Sequence, residues 1–268
     1  MSISKGRAVV TGASSGIGAV YADRLARRGH DLILVARDGD RLAKLAAEVT
    51  GKYRIKADVL KADLTARGDV AKVEKRITED ESVALLINNA GIGLEGGVLT
   101  TSLDAVNRLV ELNVLAVSRL GTTAAQAFAS RGKGTIVNIA SVLALAPERF
   151  NGLYTASKAY VLNFSQALDA ELKDKGVHVQ AVLPGATYTE IWERAGIDVK
   201  KYDPSMVMDA GELVDAALAG LDAKETVTIP PLADESQWTK FNDARIAMGP
   251  NLSRNHAAAR YGSTKTAA

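Results

Sequence analysis

The sequence contains no cysteine, so a disulfide framework, a thiolate nucleophile and a thiolate metal site are all excluded. It contains only three histidines, His30, His178 and His256, and these lie far apart along the chain. Zinc sites usually draw on closely spaced histidine or cysteine ligands, so this spacing argues against a histidine-rich metal cluster. We therefore expect no metal.

Neither sign of charge is in excess, since 33 Lys and Arg residues stand against 31 Asp and Glu residues and the formal net charge is +2. Neither sign gathers into a long run, which argues against a nucleic-acid partner and against a polybasic membrane surface. No apolar run approaches membrane-spanning length, and the opening "MSISKGRAVV" lacks the apolar stretch and small-residue cleavage site of a secretory signal. These features predict a cytoplasmic protein with no nucleic-acid or membrane partner.

Short β-branched apolar runs alternate with longer helical patterns along the chain. The runs are "RAVVTG", "DLILVA", a weaker "YRIKADVL", "VALLINNA", "GTIVNIAS", "VHVQAVLP" and "ETVTIP". Most are apolar on both faces, as in parallel strands that helices cover on each side. We therefore predict one α/β domain over residues 1–268, a Rossmann-like doubly wound parallel sheet of about seven strands with helices on both faces. The tail after "IPPLADESQW" is less regular, and residues 255–268 are expected to be flexible.

Two glycine clusters compete as the phosphate-binding loop of a dinucleotide cofactor. "GIGLEGG" matches G-x-G-x-x-G literally, but "VLTT" separates it from the next helical pattern, and Glu95 would bring a negative charge to a pyrophosphate. "AVVTGASSGIGAVYADRLA" instead leaves a strand, turns and opens a helix, whose free N–H groups attract anions. We therefore place the phosphates at this cluster, where Gly12 ends the turn, Gly16 admits the pyrophosphate and Gly18 lets the helix pack closely. The two serines of "GASSG" suit helix capping or phosphate contact.

The end of the second strand discriminates between NAD and NADP. NAD sites usually offer a carboxylate there to the ribose 2′-hydroxyl, whereas an arginine nearby accommodates the 2′-phosphate of NADP. Here the strand ends "LVARD", with Arg37 in place to meet that phosphate. NADP(H) is therefore the favoured cofactor. NAD(H) is less favoured and stays open, because Asp38 could turn back toward the ribose and Arg37 could be a solvated surface charge.

Tyr154 and Lys158 in "YTASK" indicate general acid/base catalysis. Side chains four residues apart on a helix share a face, so the ammonium can lower the pKa of the phenol and make it a general acid or base for a carbonyl/alcohol pair. A second such pair, Tyr261 and Lys265, has an interior glycine, lies in the tail and follows no strand end. Tyr154 has a strand-end partner in Ser141, which closes "GTIVNIAS" at the sheet edge where open α/β folds bind ligands.

These motifs occur in the order and approximate spacing of the short-chain dehydrogenase/reductase family, which the chain resembles over roughly residues 5–190. The resemblance rests on "TGASSGIG", "NNAG", Asn113, Ser141, "YTASK" and the Pro-Gly segment of "LPGATYTE". It implies hydride transfer between NADP(H) and a carbonyl or secondary alcohol. Ser141 would polarise the carbonyl and Tyr154 would be the acid/base. Lys158 would lower the pKa of Tyr154 and hold the nicotinamide ribose, and Asn113 would interrupt a helix to keep a water in the proton relay.

The resemblance also implies which residues bind the cofactor. They are Gly12, Ser14, Ser15, Gly16, Ile17, Gly18, Arg37, Asp63, Leu64, Asn89, Ala90, Gly91, Tyr154, Lys158, Pro184, Gly185, Thr187 and Thr189. Thr189 is favoured over Thr187 for contact with the nicotinamide amide. Gly91 closes "NNAG", and the remaining glycines of "GIGLEGG" are expected to be incidental.

Two segments at the strand ends are expected to select a small-molecule carbonyl or alcohol substrate. They are residues 142–152 and residues 186–208, the second acting as a lid. An apolar pocket would be formed by Leu143, Phe150, Ile191, Trp192 and Met206 and would suit an apolar ketone or aldehyde, although each residue could equally serve to pack the lid.

The remaining expectations concern assembly and the competing functions. The helices around Asn113 and after Tyr154 carry more apolar surface than one sheet face needs, and the family commonly pairs such helices, so a homodimer or homotetramer is expected. Two other functions stay open, an NAD(H)-dependent alcohol dehydrogenase of the same family and a non-catalytic NADP(H)-binding sensor or scaffold. The intact Ser141, Tyr154, Lys158 and Asn113 argue against the non-catalytic protein.

Overall fold

A computed structural model describes residues 5–94, 96–194, 196, 198–199 and 202–262 of the chain. The chain divides into two compact units at Pro231, and the first of them carries the sheet. The single domain expected over residues 1–268 stays a prediction.

The sheet is parallel throughout, as the apolar runs predicted. Among the described residues, seven strands lie in the order β3-β2-β1-β4-β5-β6-β7. Their bounds are β1 Arg7–Thr11, β2 Asp31–Ala36, β3 Ala57–Lys61, β4 Val83–Asn88, β5 Gly134–Ile139, β6 Val177–Val182 and β7 Val227–Thr228. The order reverses between β1 and β4, which creates a crevice at their carboxyl ends. The doubly wound fold class is confirmed.

Helices connect the strands and cover both faces of the sheet. In the first unit they are α1 Gly16–Arg27, α2 Gly39–Tyr53, α3 Arg67–Glu79, α4 Leu103–Val110, α5 Val117–Arg131, α6 Gly152–Leu172, α7 Ile191–Arg194 and α8 Ala210–Asp222. A π-helical segment, Glu111–Ala116, joins α4 to α5. One predicted strand is shorter than its apolar run, since α2 continues through Tyr53 into "YRIKADVL" and leaves only the end of that run to β3.

Strand β2 shows why both faces must be covered. Its Leu32 and Leu34 belong to the buried cluster that packs under α1, α2 and α8. Its Ile33 and Val35 belong to the opposite cluster, under α3, α5 and α6. Alternate residues of a strand point to opposite faces, so a strand that is apolar at every position has to bury both.

The second compact unit contains α9 Glu235–Ala247, in the part of the chain expected to be irregular. Asp234 begins the helix by accepting a hydrogen bond from the amide of Ser236. The helix has no buried residue, so its sequence lacks the apolar periodicity by which helices are recognised. Short 3₁₀ turns follow at Gly249–Asn251 and Ala259–Tyr261, and residues 263–268 of the tail predicted to be flexible lie outside the described residues.

No helix in the described part of the chain combines the length and the apolar character needed to cross a membrane.

The buried hydroxyl of Tyr21 leads to a stability prediction. The side chain is fully buried in the α1 side of the core, and its hydroxyl has no hydrogen-bond partner among the described residues. An unsatisfied buried polar group costs about 1–3 kcal/mol. We expect Tyr21→Phe to raise the free energy of unfolding by about 1 kcal/mol or more, measured by denaturant unfolding.

Tyr53→Phe is the matched control. The Tyr53 hydroxyl donates a 2.8 Å hydrogen bond to Asp23, so its removal is expected to lower the free energy of unfolding by about 0.5–1.5 kcal/mol. A loss of stability in Tyr21→Phe as well would show that the Tyr21 hydroxyl is satisfied in solution.

Candidate active site

An open cavity of about 1070 Å³ lies at the carboxyl ends of the strands. It is lined by the loops that follow the first six strands and by parts of α4 and α6. This is the crevice made by the reversal of strand order between β1 and β4, where open α/β sheets bind ligands.

The glycine loop after β1 has the geometry of a phosphate cradle. Gly12 and Gly16 adopt positive φ angles of 66° and 54°. A Cβ on Gly18 would lie 2.3 Å from the carbonyl oxygen of Gly12, so only glycine lets α1 approach the strand end this closely. A Cβ on Gly16 would lie 3.2 Å from the side chain of Thr189, which faces this loop from the segment after β6.

The first turn of α1 is open toward this cradle. Ser15 is its N-cap residue but makes no side-chain capping hydrogen bond, unlike Asp38 at α2 and Asn151 at α6. The capping role allowed for Ser15 from sequence is therefore not used. Backbone N–H groups at a helix start bind anions, so the residues present here fit the pyrophosphate of a dinucleotide.

A threonine that the sequence reasoning missed joins the glycine loop to the loop after β4. The Thr11 hydroxyl accepts hydrogen bonds from the backbone amides of Asn89 at 2.9 Å and Ala90 at 3.0 Å. In return the Asn89 side chain donates to the carbonyl oxygen of Thr11 at 2.8 Å. The only sequence signal was a hydroxyl residue directly before the strand-end glycine, which does not reveal a partner 78 residues away.

The loop after β2 contains the residues that bear on cofactor choice. Asp38 caps α2 by accepting a 3.0 Å hydrogen bond from the amide of Arg41. The Arg41 guanidinium donates to both carboxylate oxygens of Glu190, at 2.7 and 2.9 Å. Arg37 is exposed, lines the cavity and makes no hydrogen bond or ion pair with any other described residue. The carboxylate that could have favoured NAD is thus engaged at the helix start, whereas Arg37 can reach an anion in the cavity.

The loop after β3 closes this end of the cavity. Asp63 accepts hydrogen bonds from the amide of Thr65 at 3.0 Å and from its hydroxyl at 2.8 Å. Leu64 is buried beside it. Both residues line the cavity on the side that the resemblance assigns to the adenine.

Tyr154, Lys158 and Ser141 meet on one wall of the cavity. The Lys158 ammonium lies 5.7 Å from the centroid of the Tyr154 ring and donates a 2.9 Å hydrogen bond to the carbonyl oxygen of Ile139. Ser141 lies two residues after the end of β5, and its hydroxyl contacts Tyr154 and the carbonyl oxygen of Pro184.

Burial controls the protonation of this wall. It raises the pKa of Tyr154 to about 12, and a hydrogen bond with Ser141 acts in the opposite direction. It lowers the pKa of Lys158 to about 8. The sequence suggested that Lys158 would lower the pKa of the phenol. Instead desolvation dominates, because both groups are buried and the ammonium is directed to the Ile139 carbonyl.

Asn113 lies in the π-helical segment between α4 and α5, so the expected interruption of this helix is present. Its side-chain oxygen accepts from the amide of Ile92 at 2.9 Å, and its nitrogen donates to the Ile92 carbonyl oxygen at 2.9 Å and to the Ser157 hydroxyl at 3.3 Å. A Cβ on Gly91 would lie 3.3 Å from the Asn113 side-chain oxygen and 3.6 Å from the Lys158 nitrogen. Asn113 therefore holds the loop after β4 against the helix that carries Lys158.

Asn151 caps the helix that carries Tyr154 and Lys158, and the sequence analysis did not identify it. Its side-chain oxygen accepts from the amides of Leu153 and Tyr154, at 3.0 and 3.2 Å. Its nitrogen donates to the carbonyl oxygen of Gly96 at 2.9 Å, and Gly96 has a φ angle of 72°. The later glycines of "GIGLEGG" were expected to be incidental, but the structure gives Gly96 a conformational role. An asparagine directly before a helix is the sequence signal that could have revealed the cap.

The two ends of the segment expected to act as a lid, residues 186–208, are joined to each other. Thr187 and Met208 form a parallel bridge, and the indole nitrogen of Trp192 donates a 2.7 Å hydrogen bond to the carbonyl oxygen of Thr187. The Trp192 ring lies 5.4 Å from that of Tyr202, an aromatic residue that the predicted pocket omitted. Residues 195, 197, 200 and 201 of this segment lie outside the described residues.

The structure brings nearly all the residues selected from sequence into this one cavity. Besides Ser141, Tyr154 and Lys158, its lining includes Gly12, Ser14, Ser15, Gly16, Ile17, Arg37, Asp63, Leu64, Asn89, Ala90, Gly91, Pro184, Gly185, Thr187 and Thr189. The expected pocket residues Leu143, Phe150, Ile191, Trp192 and Met206 also line it. Gly18 and Asn113 lie behind the lining residues. Gly18 contacts the glycine loop and Asn113 binds the loop after β4, as described above. Their individual roles stay predictions.

Comparison with known proteins gives concordant matches. The sequence profile of the family described as short chain dehydrogenase matches residues 7–200. A short-chain dehydrogenase from Sphingobium yanoikuyae, solved in complex with NADPH, is 48% identical with a TM-score of 0.93, over 96% of this chain and 100% of that one. The bulky-bulky ketone specific alcohol dehydrogenase from Comamonas testosteroni is 47% identical with a TM-score of 0.89, over 97% of this chain and 99% of that one.

A curated relative is more distant. The very-long-chain 3-oxoacyl-CoA reductase of Anas platyrhynchos is 36% identical over 181 residues, which is 66% of this chain and 58% of that protein. The chain therefore spans well under two thirds of that relative's length. The family profile alone covers more than half of the chain, and the sheet order and strand-end cavity agree with it. The protein belongs to the short-chain dehydrogenase/reductase family of oxidoreductases.

Proposed function

We propose that the protein is an NADP(H)-dependent reductase of apolar ketones or aldehydes, which in reverse oxidises the corresponding alcohols. The observation that carries this proposal is the wall formed by Ser141, Tyr154 and Lys158, in a cavity whose other end holds the open start of α1 and Arg37. The NADPH complex of the Sphingobium relative and the ketone specificity of the Comamonas relative support it.

The proton chemistry follows from the buried hydroxyls. A bound nicotinamide cofactor supplies the hydride for the carbonyl carbon. Ser141 and Tyr154 present two hydroxyl groups to the carbonyl oxygen, and Tyr154 transfers its proton to that oxygen as the alcohol forms. The phenol is protonated at neutral pH, which is the state that reduction requires, and burial stabilises this state further by raising the pKa from 10 to about 12. Because proton transfer is favoured by a pKa near the working pH, developing charge on the carbonyl oxygen has to assist the donation.

Lys158 and Asn113 keep the wall in place. The Lys158 nitrogen lies beside Gly91, where the absence of a side chain leaves the ammonium open to the cavity for the ribose hydroxyls of the cofactor. Asn113 holds the same loop from behind through both of its hydrogen bonds to Ile92.

Tyr154→Phe tests the acid/base assignment. Losing general acid catalysis should lower kcat by about 10²- to 10⁴-fold, while NADPH affinity changes by no more than roughly a few fold. Consumption of NADPH with an aryl ketone gives kcat, and fluorescence titration gives the affinity. Tyr160→Phe, on the same helix but directed to the Ser118 hydroxyl, is the matched control.

The outcomes separate the competing functions. Retained turnover in Tyr154→Phe would reject Tyr154 as the proton donor. NADPH binding by the unaltered protein without turnover of any carbonyl compound would favour the sensor or scaffold. If neither NADPH nor NADH binds, both the reductase and the sensor or scaffold are rejected.

Arg37→Gln tests the cofactor preference. Hydrogen bonds to charged groups contribute about 1.5–3 kcal/mol, so loss of the guanidinium should raise KM for NADPH by roughly tenfold to a hundredfold. NADH lacks the 2′-phosphate, and its KM is the internal control. An equal rise in KM for both cofactors would show that Arg37 only supports the loop. An unchanged KM for both would show that Arg37 does not contact the cofactor.

We also propose that copies of the chain associate through the face formed by α4, the π segment and α6. Val110, Leu115 and Tyr160 expose 38%, 47% and 39% of their surface there. Tyr160 stacks on Phe164, with ring centroids 5.9 Å apart, and bonds to Ser118 of α5. Apolar groups held rigidly on adjacent helices are typical of subunit interfaces.

Val110→Arg tests this association. A charge placed in an apolar interface should convert the oligomer into monomers, measured by light scattering at several concentrations. Val59→Arg is the control, because Val59 is exposed to a similar extent (41%) on the edge strand β3. If the unaltered protein is monomeric, or if Val110→Arg keeps its mass, the proposed interface is wrong.

A further inference from the structure

Two arginines outside the catalytic wall line the substrate side of the cavity, and nothing in the sequence singled them out. Arg108 is on α4, one helical turn before Leu112, which also lines the cavity. Arg149 directly precedes Phe150, whose ring packs edge-on against Tyr154 with centroids 5.5 Å apart. Arg149 therefore adjoins a residue that packs on the proton donor, and Arg108 adjoins the helix segment that carries Asn113, whereas Arg37 follows β2.

These guanidinium groups have no direct charged partner in the part of the chain that the structure describes. Neither the Arg108 nor the Arg149 side chain forms an ion pair or hydrogen bond with a described residue, and both side chains are exposed. Two other exposed arginines are paired, since Arg41 is bonded to Glu190 and Arg119 to Glu74. Two uncompensated guanidinium groups at the rim of a cavity attract an anion and can bind its oxygens through several hydrogen bonds.

The acidic residues of the cavity lie elsewhere or are engaged. Asp38 caps α2, Asp63 is bonded to Thr65, and Glu190 is paired with Arg41. Glu212 is in the first turn of α8, which packs on α1 on the opposite side of the sheet from α5 and α6. No acidic residue of the cavity lining is therefore paired with Arg108 or Arg149.

We propose that the natural substrate is an amphiphilic ketone or aldehyde that carries an oxyanion, a carboxylate or a phosphate, at the end remote from its carbonyl group. The carbonyl lies at Ser141 and Tyr154, and the apolar body lies among Phe150, Trp192 and their neighbours. The oxyanion is bound by Arg108 and Arg149 at the rim. This inference rests on the proposed reductase function and specifies its substrate class.

Matched substrates test this inference. The probes are para-butanoylbenzoate, its phosphate counterpart para-butanoylphenyl phosphate, and the neutral methyl ester of the first, together with a flexible aliphatic keto acid and its methyl ester. We expect kcat/KM to be about tenfold or more higher for the anionic probes than for the esters at low ionic strength, and this preference to shrink with added salt. The carboxylate-to-phosphate ratio then shows which oxyanion the site prefers.

The double variant Arg108→Gln with Arg149→Gln should bring the anion-to-ester ratio of kcat/KM down to about one, because both charged hydrogen-bond donors are removed. Arg119→Gln, whose arginine is paired with Glu74 on the far side of α5, is the control for loss of positive charge and should keep the ratio. An unaltered protein that prefers the esters, or a preference for anions that survives in the double variant, would overturn the inference.

A binding measurement separates this inference from the proposed function. Turnover of the neutral esters reports the reductase activity alone. Calorimetric titration of the NADPH-loaded protein with para-butylbenzoate, which has no reducible carbonyl, reports the anion site alone. Binding of this carboxylate that is lost in the double variant supports the anion site even without turnover. Binding no tighter than that of its methyl ester contradicts it.

Discussion

The hydrogen bonds of Thr11 hold together two loops on which the rest of the cavity depends. Strands β1 and β4 are neighbours, but the chain leaves them in different directions because the strand order reverses there. The Thr11 hydroxyl and the Asn89 side chain bridge the resulting gap, and glycine at positions 12 and 18 lets α1 and the loop after β4 come into contact. The open start of α1 is thereby set beside the loop that Asn113 anchors.

Burial then gives this arrangement its chemistry. Tyr154 and Lys158 are removed from water, which favours the neutral form of each and shifts their pKa values in opposite directions, up for the phenol and down for the ammonium. The helix that carries them is positioned at its start by Asn151 and along its length by the bond from Lys158 to Ile139. A buried phenol beside Ser141, in a cavity with charged groups at both ends, is compatible with the oxidoreductase chemistry of the family.

Much of the fold and many of the site residues could be predicted from local patterns. Apolar runs such as "DLILVA" located the strands, and the order of glycine loop, Ser141 and Tyr154 located the cavity. Predictions failed where a residue acts through a distant partner. Gly96 has no visible role in the sequence, but its carbonyl oxygen accepts a hydrogen bond from Asn151, 55 residues away. Helix α9 was missed for a different reason: none of its residues is buried, so its sequence has no apolar period. Arg108 and Arg149 are 41 positions apart and share no motif.

The sequence by itself determined the parallel α/β architecture, the glycine loop after β1 and the family, because periodicity, turn chemistry and helix-face spacing are local properties. Only the tertiary structure decided which charges face the cavity. It showed Asp38 at a helix cap, Arg41 bonded to Glu190, and Arg37, Arg108 and Arg149 open to a ligand. It also showed that burial raises the pKa of the Tyr154 phenol. These properties depend on distance and desolvation in the folded chain, which spacing along the sequence does not report.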